Sequence, residues 1–157
     1  MKAAFEVIIL PVSDPDTSLR FYRDDVGFDL DVDYAPAPNF RVIQLTPPGS
    51  AASIQFGVGL TDAPVGSVRG LYLVVPDIEV HRAELMDRGV AVSAIRHKDT
   101  DGGWRGLFLP GSDPAHADYA SFADFGDPDG NGWVLQERGY HDGLATTMTN
   151  DRGVVEK

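Results

Sequence analysis

The chain contains no cysteine. That absence excludes a disulfide scaffold, a thiolate zinc site, an iron–sulfur cluster and a cysteine nucleophile. Basic residues are scarce: 13 Lys and Arg stand against 24 Asp and Glu, for a net charge of −11. A nucleic-acid binder needs a basic face for phosphates, and an anionic lipid surface attracts basic clusters, so neither partner is expected. The charge favours neutral or cationic ligands over anionic ones. No run of about 20 apolar residues exists, so no membrane span is expected. Residues 1–6 carry a single lysine and lead into a short apolar run broken by Pro11. That is not the pattern of a secretory signal, and a cytoplasmic protein is expected. Phosphate loops, dinucleotide fingerprints and serine nucleophile elbows are also missing; Gly57-Val58-Gly59 lacks the third glycine and the helix start.

The 157 residues are 43% hydrophobic, enough for a chain of this length to bury roughly 70% of its unfolded surface around one core. An internal repeat organises them. Leu10-Pro11-Val12-Ser13-Asp14 matches Leu73-Val74-Val75-Pro76-Asp77 at an offset of 63 residues. Each apolar run ends in Asp, and a helical stretch and a glycine follow, at 15–27 and 78–89. Asp14 and Asp77 suit the N-cap, Pro15 the first helical position, Gly27 and Gly89 the left-handed C-terminal position. Leu19, Tyr22 and Val26 should form the buried face of the first helix, Val80, Ala83 and Met86 that of the second. Strands are expected at 7–12, 28–34, 40–45 and 52–57, then at 71–75, 90–95, 119–125 and 132–138. The first strand of each half is apolar on both faces, so both faces should be covered. Residues 97–118 read as one long loop. The expected class is α+β, with two pseudo-symmetric βαβββ modules whose mixed sheets curl around a cleft. Residues 1–138 form one domain, with modules at about 5–60 and 68–138, and 139–157 form a tail.

Phe21-Tyr22 ahead of Gly27-Phe28, with Phe125-Gly126-Asp127-Pro128-Asp129-Gly130-Asn131 before a last strand, resembles the vicinal oxygen chelate superfamily of glyoxalases, bleomycin-resistance proteins and extradiol dioxygenases. The resemblance spans about residues 5–138. It implies paired modules, a homodimer and, in many members, a divalent metal held from four strands. Carried over one by one, the ligand positions fall on Val7, Gln55, Gly70 and Val134. Two hydrocarbon side chains, a glycine and one neutral amide do not make a divalent site, so no metal and no cofactor is expected. A bulge that turned Glu137 inward would restore one carboxylate.

Strand parity lines the cleft with Val7, Ile9, Ser53, Gln55, Gly57, Gly70, Tyr72, Val74, Val134 and Gln136. Trp104, Phe108 and Arg41 are candidates to close over it. Such a lining suits a small hydrophobic or aromatic molecule, held for sequestration or resistance. The alternatives are a metal-independent isomerisation, cyclisation or addition, with Tyr72, His97 or Glu137 moving the proton, and a metal-dependent lyase or dioxygenase with shifted ligands. His116, among the carboxylates of Asp113 and Asp118, reads as a solvated loop residue, and His81 as a surface one.

Overall fold

A computed structural model describes residues 1–101 and 103–141. Of the expected tail, residues 142–157 lie outside the described residues. Two mixed sheets carry the chain. The first holds β1 (Val7–Ile9), β2 (Asp29–Ala37), β3 (Phe40–Thr46) and β4 (Ser53–Val58) in the order β1-β4-β3-β2. The second holds β5 (Leu71–Val75), β6 (Arg96–Lys98), β7 (Phe108–Pro110), β8 (Ser121–Gly126) and β9 (Gly132–Glu137) in the order β5-β9-β8-β6-β7. β1 runs parallel to β4, and β5 parallel to β9. The two halves thus repeat one topology, with β7 as an added edge strand in the second. Among the described residues neither sheet closes into a barrel.

The helices start where the sequence says. Asp14 accepts from the Asp16 N–H at 3.0 Å and opens α1 (Pro15–Arg20). Asp77 accepts from the Val80 N–H at 3.0 Å and opens α2 (Ile78–Asp87). α1 runs on into a π-helical segment, Phe21–Val26, closed by Gly27 at φ 91°, a conformation that glycine takes without steric cost. Leu19 and Tyr22 are buried and Val26 partly so, as their spacing predicts.

The buried face of α2 differs from the expectation. Ile78 and Leu85 are buried, whereas Val80, Ala83 and Met86 are exposed. Between the two buried residues lie half-buried His81 and Arg82, and the Arg82 Nε donates to the Ser93 carbonyl at 2.6 Å. A polar pair inside the buried stripe hides it from a pattern search. The same arginine helps explain why 90–95 is not a strand. It takes the Ser93 and Val92 carbonyls, leaving one isolated bridge between Val92 and Phe125. The expected loop 97–118 in turn contains the β6–β7 pairing, in register from Arg96–Pro110 to Lys98–Phe108.

One apolar cluster joins the halves, and Tyr22 is at its centre. The Tyr22 ring packs on Phe28, Phe56 and Trp133 at centroid separations of 5.7, 5.6 and 5.9 Å. Its hydroxyl donates to Asp127 Oδ2 at 2.9 Å and accepts from the Trp133 indole N–H at 3.0 Å. Asp127 also takes the Asn131 and Asp129 N–H groups, closing the turn. Asn131 reaches across to the Pro11 carbonyl at 3.1 Å, and Asp129 takes the Ser13 hydroxyl at 2.5 Å. The Asp-Pro-Asp-Gly-Asn turn is therefore a clasp that fixes the second half to the start of α1.

Burial, and then the charge of Asp127, push the Tyr22 phenol far above its ordinary value of 10.0. Two outcomes are expected. Tyr22→Phe leaves a buried carboxylate oxygen and an indole N–H short of a partner and should cost about 1–3 kcal/mol in urea unfolding. Above pH about 10, the unfolded phenol ionises and the folded one does not, so the parent loses stability as pH rises, by at most about 1.4 kcal/mol per unit. Tyr22→Phe should lack that part of the decline. An identical alkaline profile in both proteins would contradict the placement of this hydroxyl.

Candidate functional site

Each sheet buries one face and leaves the other open. On the first sheet Ile8, Ile43, Leu45, Ile54 and Phe56 belong to the core. The register pairs Val7 with Ser53, Ile9 with Gln55 and Gln44 with Gln55, so these residues share the opposite face. On the second sheet Leu71, Leu73, Val75, Trp133 and Leu135 face the core. Tyr72 pairs with Val134, Val74 with Gln136, Gln136 with Phe122, Val134 with Asp124 and Phe122 with Arg96, and this set forms the other open face. Tyr72 and Val74 are 55% and 51% exposed. The expectation that β1 and β5 are covered on both faces does not hold within one chain.

A pocket of about 330 Å³ lies where the sheets adjoin, lined among others by Phe5, Ile8, Ser53, Gly70, Tyr72 and Trp133. Of the residues expected around the cleft, Ser53, Gly70 and Tyr72 meet there. Val7, Ile9, Gln55, Val134 and Gln136 lie on the open faces but do not line this pocket.

The first open face carries a polar network. Gln55 donates to Gln44 at 2.8 Å, Gln44 donates to Asp31 at 3.3 Å, and Thr46 bonds both Asp31 and Ser53. Asp31 is thus the acceptor that anchors the amides. The Gln55 side-chain carbonyl, which can accept, has no partner among the described residues. On the second face the Tyr72 hydroxyl has no partner among the described residues, and Gln136 donates to the Tyr119 carbonyl at 3.4 Å.

Beyond Gln136 stands an aromatic group that sequence reasoning caught only in part. Trp104, Phe108 and Phe122 meet edge to face at 5.9 and 5.8 Å. The Arg96 guanidinium lies 5.2 Å from the Phe108 centroid and is gripped by Asp124 at 2.5 and 3.2 Å. The Lys98 ammonium lies 4.9 Å from the Trp104 centroid and 5.5 Å from that of Phe122. The available signal was the period-two placement of Arg96 with Lys98 and of Phe122 with Asp124 on neighbouring strands. Arg41 is committed elsewhere. Asp33 and Asp16 hold it at 2.9 and 2.8 Å, and Asp33, its strongest partner, raises its pKa further.

His97 and Glu137 are placed differently from Tyr72. His97 alternates with Arg96 and Lys98 and so lies on the other side of β6, where its Nδ1–H donates to the Gly111 carbonyl at 2.8 Å. Glu137 is fully buried on the core side of β9. One oxygen accepts from the Ile78 N–H at 3.0 Å, at the start of α2, and the other meets His116 Nδ1 at 2.9 Å. β9 pairs regularly with β5 through Val75–Glu137, so no bulge turns this carboxylate toward Val134. His116 is no solvated loop residue either: it stacks on Tyr140 at 3.7 Å and adopts φ 47°. No sequence spacing signals this pair, because the two residues meet only through the fold.

The family's metal can be tested against these residues. Val7 and Val134 offer hydrocarbon, Gly70 offers no side chain, and the Gln55 NH2 is spent on Gln44. The described residues contain no group of three or more His, Cys, Asp or Glu able to hold a metal ion. This donor set does not fit a divalent cation.

The family model described as Glyoxalase/Bleomycin resistance protein/Dioxygenase superfamily matches residues 4–135. Among solved structures, TnmS3, an antibiotic binding protein from Streptomyces sp. CB03234, is 32% identical, with 87% of this chain and 96% of that chain covered and a TM-score of 0.66. A glyoxalase/bleomycin resistance protein from the same organism is also 32% identical, covering 85% and 99%, with a TM-score of 0.62. A superfamily member from Sphaerobacter thermophilus DSM 20745 is 25% identical, covering 87% and 98%, with a TM-score of 0.66. No curated protein matches the chain.

Glu137 is expected to be structural. Glu137→Ala orphans the Ile78 N–H and should cost about 1–3 kcal/mol of stability, whereas Glu137→Gln keeps an acceptor and should cost less. Urea unfolding checks the order. Equal stability of parent and Glu137→Ala would show that the carboxylate holds nothing.

Proposed function

The chain belongs to the Glyoxalase/Bleomycin resistance protein/Dioxygenase superfamily, and from that premise we propose that it captures a small hydrophobic or aromatic metabolite without using a metal. One observation carries this reading: three of the four positions where the family resemblance puts metal ligands are Val7, Gly70 and Val134. A surface of hydrocarbon, one phenol and one amide carbonyl binds by exclusion of water and a few directed hydrogen bonds. Tyr72 donates to a ligand oxygen, Gln55 accepts from a ligand donor, and Val7, Ile9, Val134 and Gln136 supply the floor. The antibiotic-binding activity in the name of TnmS3 accords with sequestration as the biological use.

A small ligand needs most of its surface buried, roughly 70–90%. One open sheet face covers one side of it. Ile9, Val32, Tyr34, Tyr72 and Val74 are all exposed on the single chain. A second copy laid over these faces would cover both the ligand and this apolar surface, which is the homodimer the family resemblance implies.

A metal-free enzyme is the second reading, favoured by the unpartnered Tyr72 hydroxyl, which is placed to move a proton. On this reading Tyr72 moves the proton from the open face, since His97 and Glu137 face the other side of their strands.

The two readings separate in one experiment. Flat aromatic compounds are titrated calorimetrically into metal-free protein, and the bound compound is recovered and weighed by mass spectrometry. Saturable binding with unchanged ligand is expected, weakened at least about tenfold by Val134→Asp, which sets a charge on the apolar floor. Conversion that is lost in Tyr72→Phe would establish the enzyme instead. Absence of binding across the panel would contradict both.

A further inference from the structure

We infer that the outer end of the second open face selects a flat aromatic ligand bearing an anionic oxygen, a carboxylate or an ionised phenol, with Lys98 as its counter-ion and Trp104 and Phe108 as its stacking walls. This rests on the ligand-capture reading and adds the charge and shape of the ligand.

The two cations in the aromatic group have different employment. Arg96 is locked by two contacts to Asp124, and its guanidinium sits over the Phe108 and Phe122 rings. It is scaffolding. Lys98 has no carboxylate partner among the described residues, in a chain whose acids outnumber its bases almost two to one. The neighbouring Asp99 takes the Asp101 N–H at 3.2 Å. What holds the ammonium is the two ring faces of Trp104 and Phe122. A cation seated on aromatic faces and lacking an anion is a preformed half of an ion pair. The partly dehydrated setting strengthens its attraction to an anion beyond that of a surface lysine.

The aromatic side chains set the shape. Trp104 and Phe108 remain 48% and 42% exposed although they pack against one another. The indole N–H is already spent on the Leu107 carbonyl at 3.1 Å, which fixes the ring and leaves its surface as the part available to a ligand. A planar ring can lie on that surface with its anionic oxygen at Lys98. The remainder of the ligand would continue over Gln136 and Val134 toward Tyr72, along the same face. The whole-chain charge of −11 led to the opposite expectation, that neutral or cationic ligands are favoured. Net charge describes the total surface, and Lys98 makes this end of the face a local exception.

The test uses a matched pair of probes, 2-naphthoate and 2-naphthamide, which share a ring system and differ in charge. Each is titrated by calorimetry into the full chain, the Lys98→Met and Lys98→Arg variants and Trp104→Leu, with circular dichroism confirming that each variant folds. The carboxylate should bind roughly tenfold tighter than the amide at low salt, the preference shrinking as salt rises. Lys98→Met should bring the carboxylate to the level of the amide and leave the amide within about twofold, while Lys98→Arg retains the preference and Trp104→Leu weakens both probes. Equal affinity of the two probes for the parent, or a preference that survives Lys98→Met, overturns the anion selection and leaves aromatic capture standing. Failure of both probes to bind at millimolar concentration overturns the inference together with the reading beneath it.

Discussion

Three buried groups hold the two halves of this molecule in register: the Tyr22 hydroxyl, the Asp127 carboxylate and the Trp133 indole N–H. A carboxylate that is 6% exposed is costly unless its lone pairs are filled. Asp127 fills them with a phenol from one half and with Asn131 and the turn N–H groups from the other. The consequences reach the open faces. Asn131 Oδ1 takes the Val68 N–H, and the Gly132 N–H bonds the Val68 carbonyl, just ahead of Gly70 and β5. The clasp therefore sets where β9 begins, and with it the position of Val134 beside Tyr72.

The polar chemistry of the second sheet is divided between its two sides. On the core side Glu137 and His116 tie β9 to the start of α2 and to Tyr140, stabilising the α2 N–H end with a carboxylate. On the open side stand hydrocarbon, amide and phenol beside the Arg96–Asp124 ion pair, ending in an aromatic group where Lys98 has no carboxylate partner among the described residues. A side chain one residue along a strand faces the other way, so the distance in sequence between Gln136 and Glu137 is one residue and the distance in role is complete. Here the open-side carboxylate of the second sheet, Asp124, is held by Arg96, and Glu137 faces the core.

Element order, helix caps and the repeat were legible in the sequence, because they rest on local chemistry: Asp14 and Asp77 before helices, glycines after them, and apolar strands at a fixed offset. The turn at Asp127 was legible as a motif but not as a clasp, since its partners Ser13, Pro11 and Tyr22 are more than a hundred residues away. Three readings failed for identifiable reasons. The buried stripe of α2 contains His81 and Arg82, so apolar periodicity chose the exposed Val80, Ala83 and Met86. Arg82 consumes the carbonyls that a strand at 90–95 would have used. The loop 97–118 hides β7, a three-residue strand whose partner is β6, with ring contacts to the next strand beyond. Parity did assign the open-face set of Val7, Ile9, Gln55, Tyr72, Val134 and Gln136, because alternation survives wherever the register is regular. Parity could not foresee that the two halves of this set would share so little of one pocket.

Ligand capture by side-chain surface rather than by chelation is the claim on which the functional reading depends. Its most direct test is metal content by inductively coupled plasma mass spectrometry, on protein purified without chelator and again after incubation with Mn, Fe, Ni or Zn and desalting. With hydrocarbon and glycine at three ligand positions, metal should stay below about a tenth of an equivalent throughout. Near-stoichiometric metal that survives desalting would contradict it.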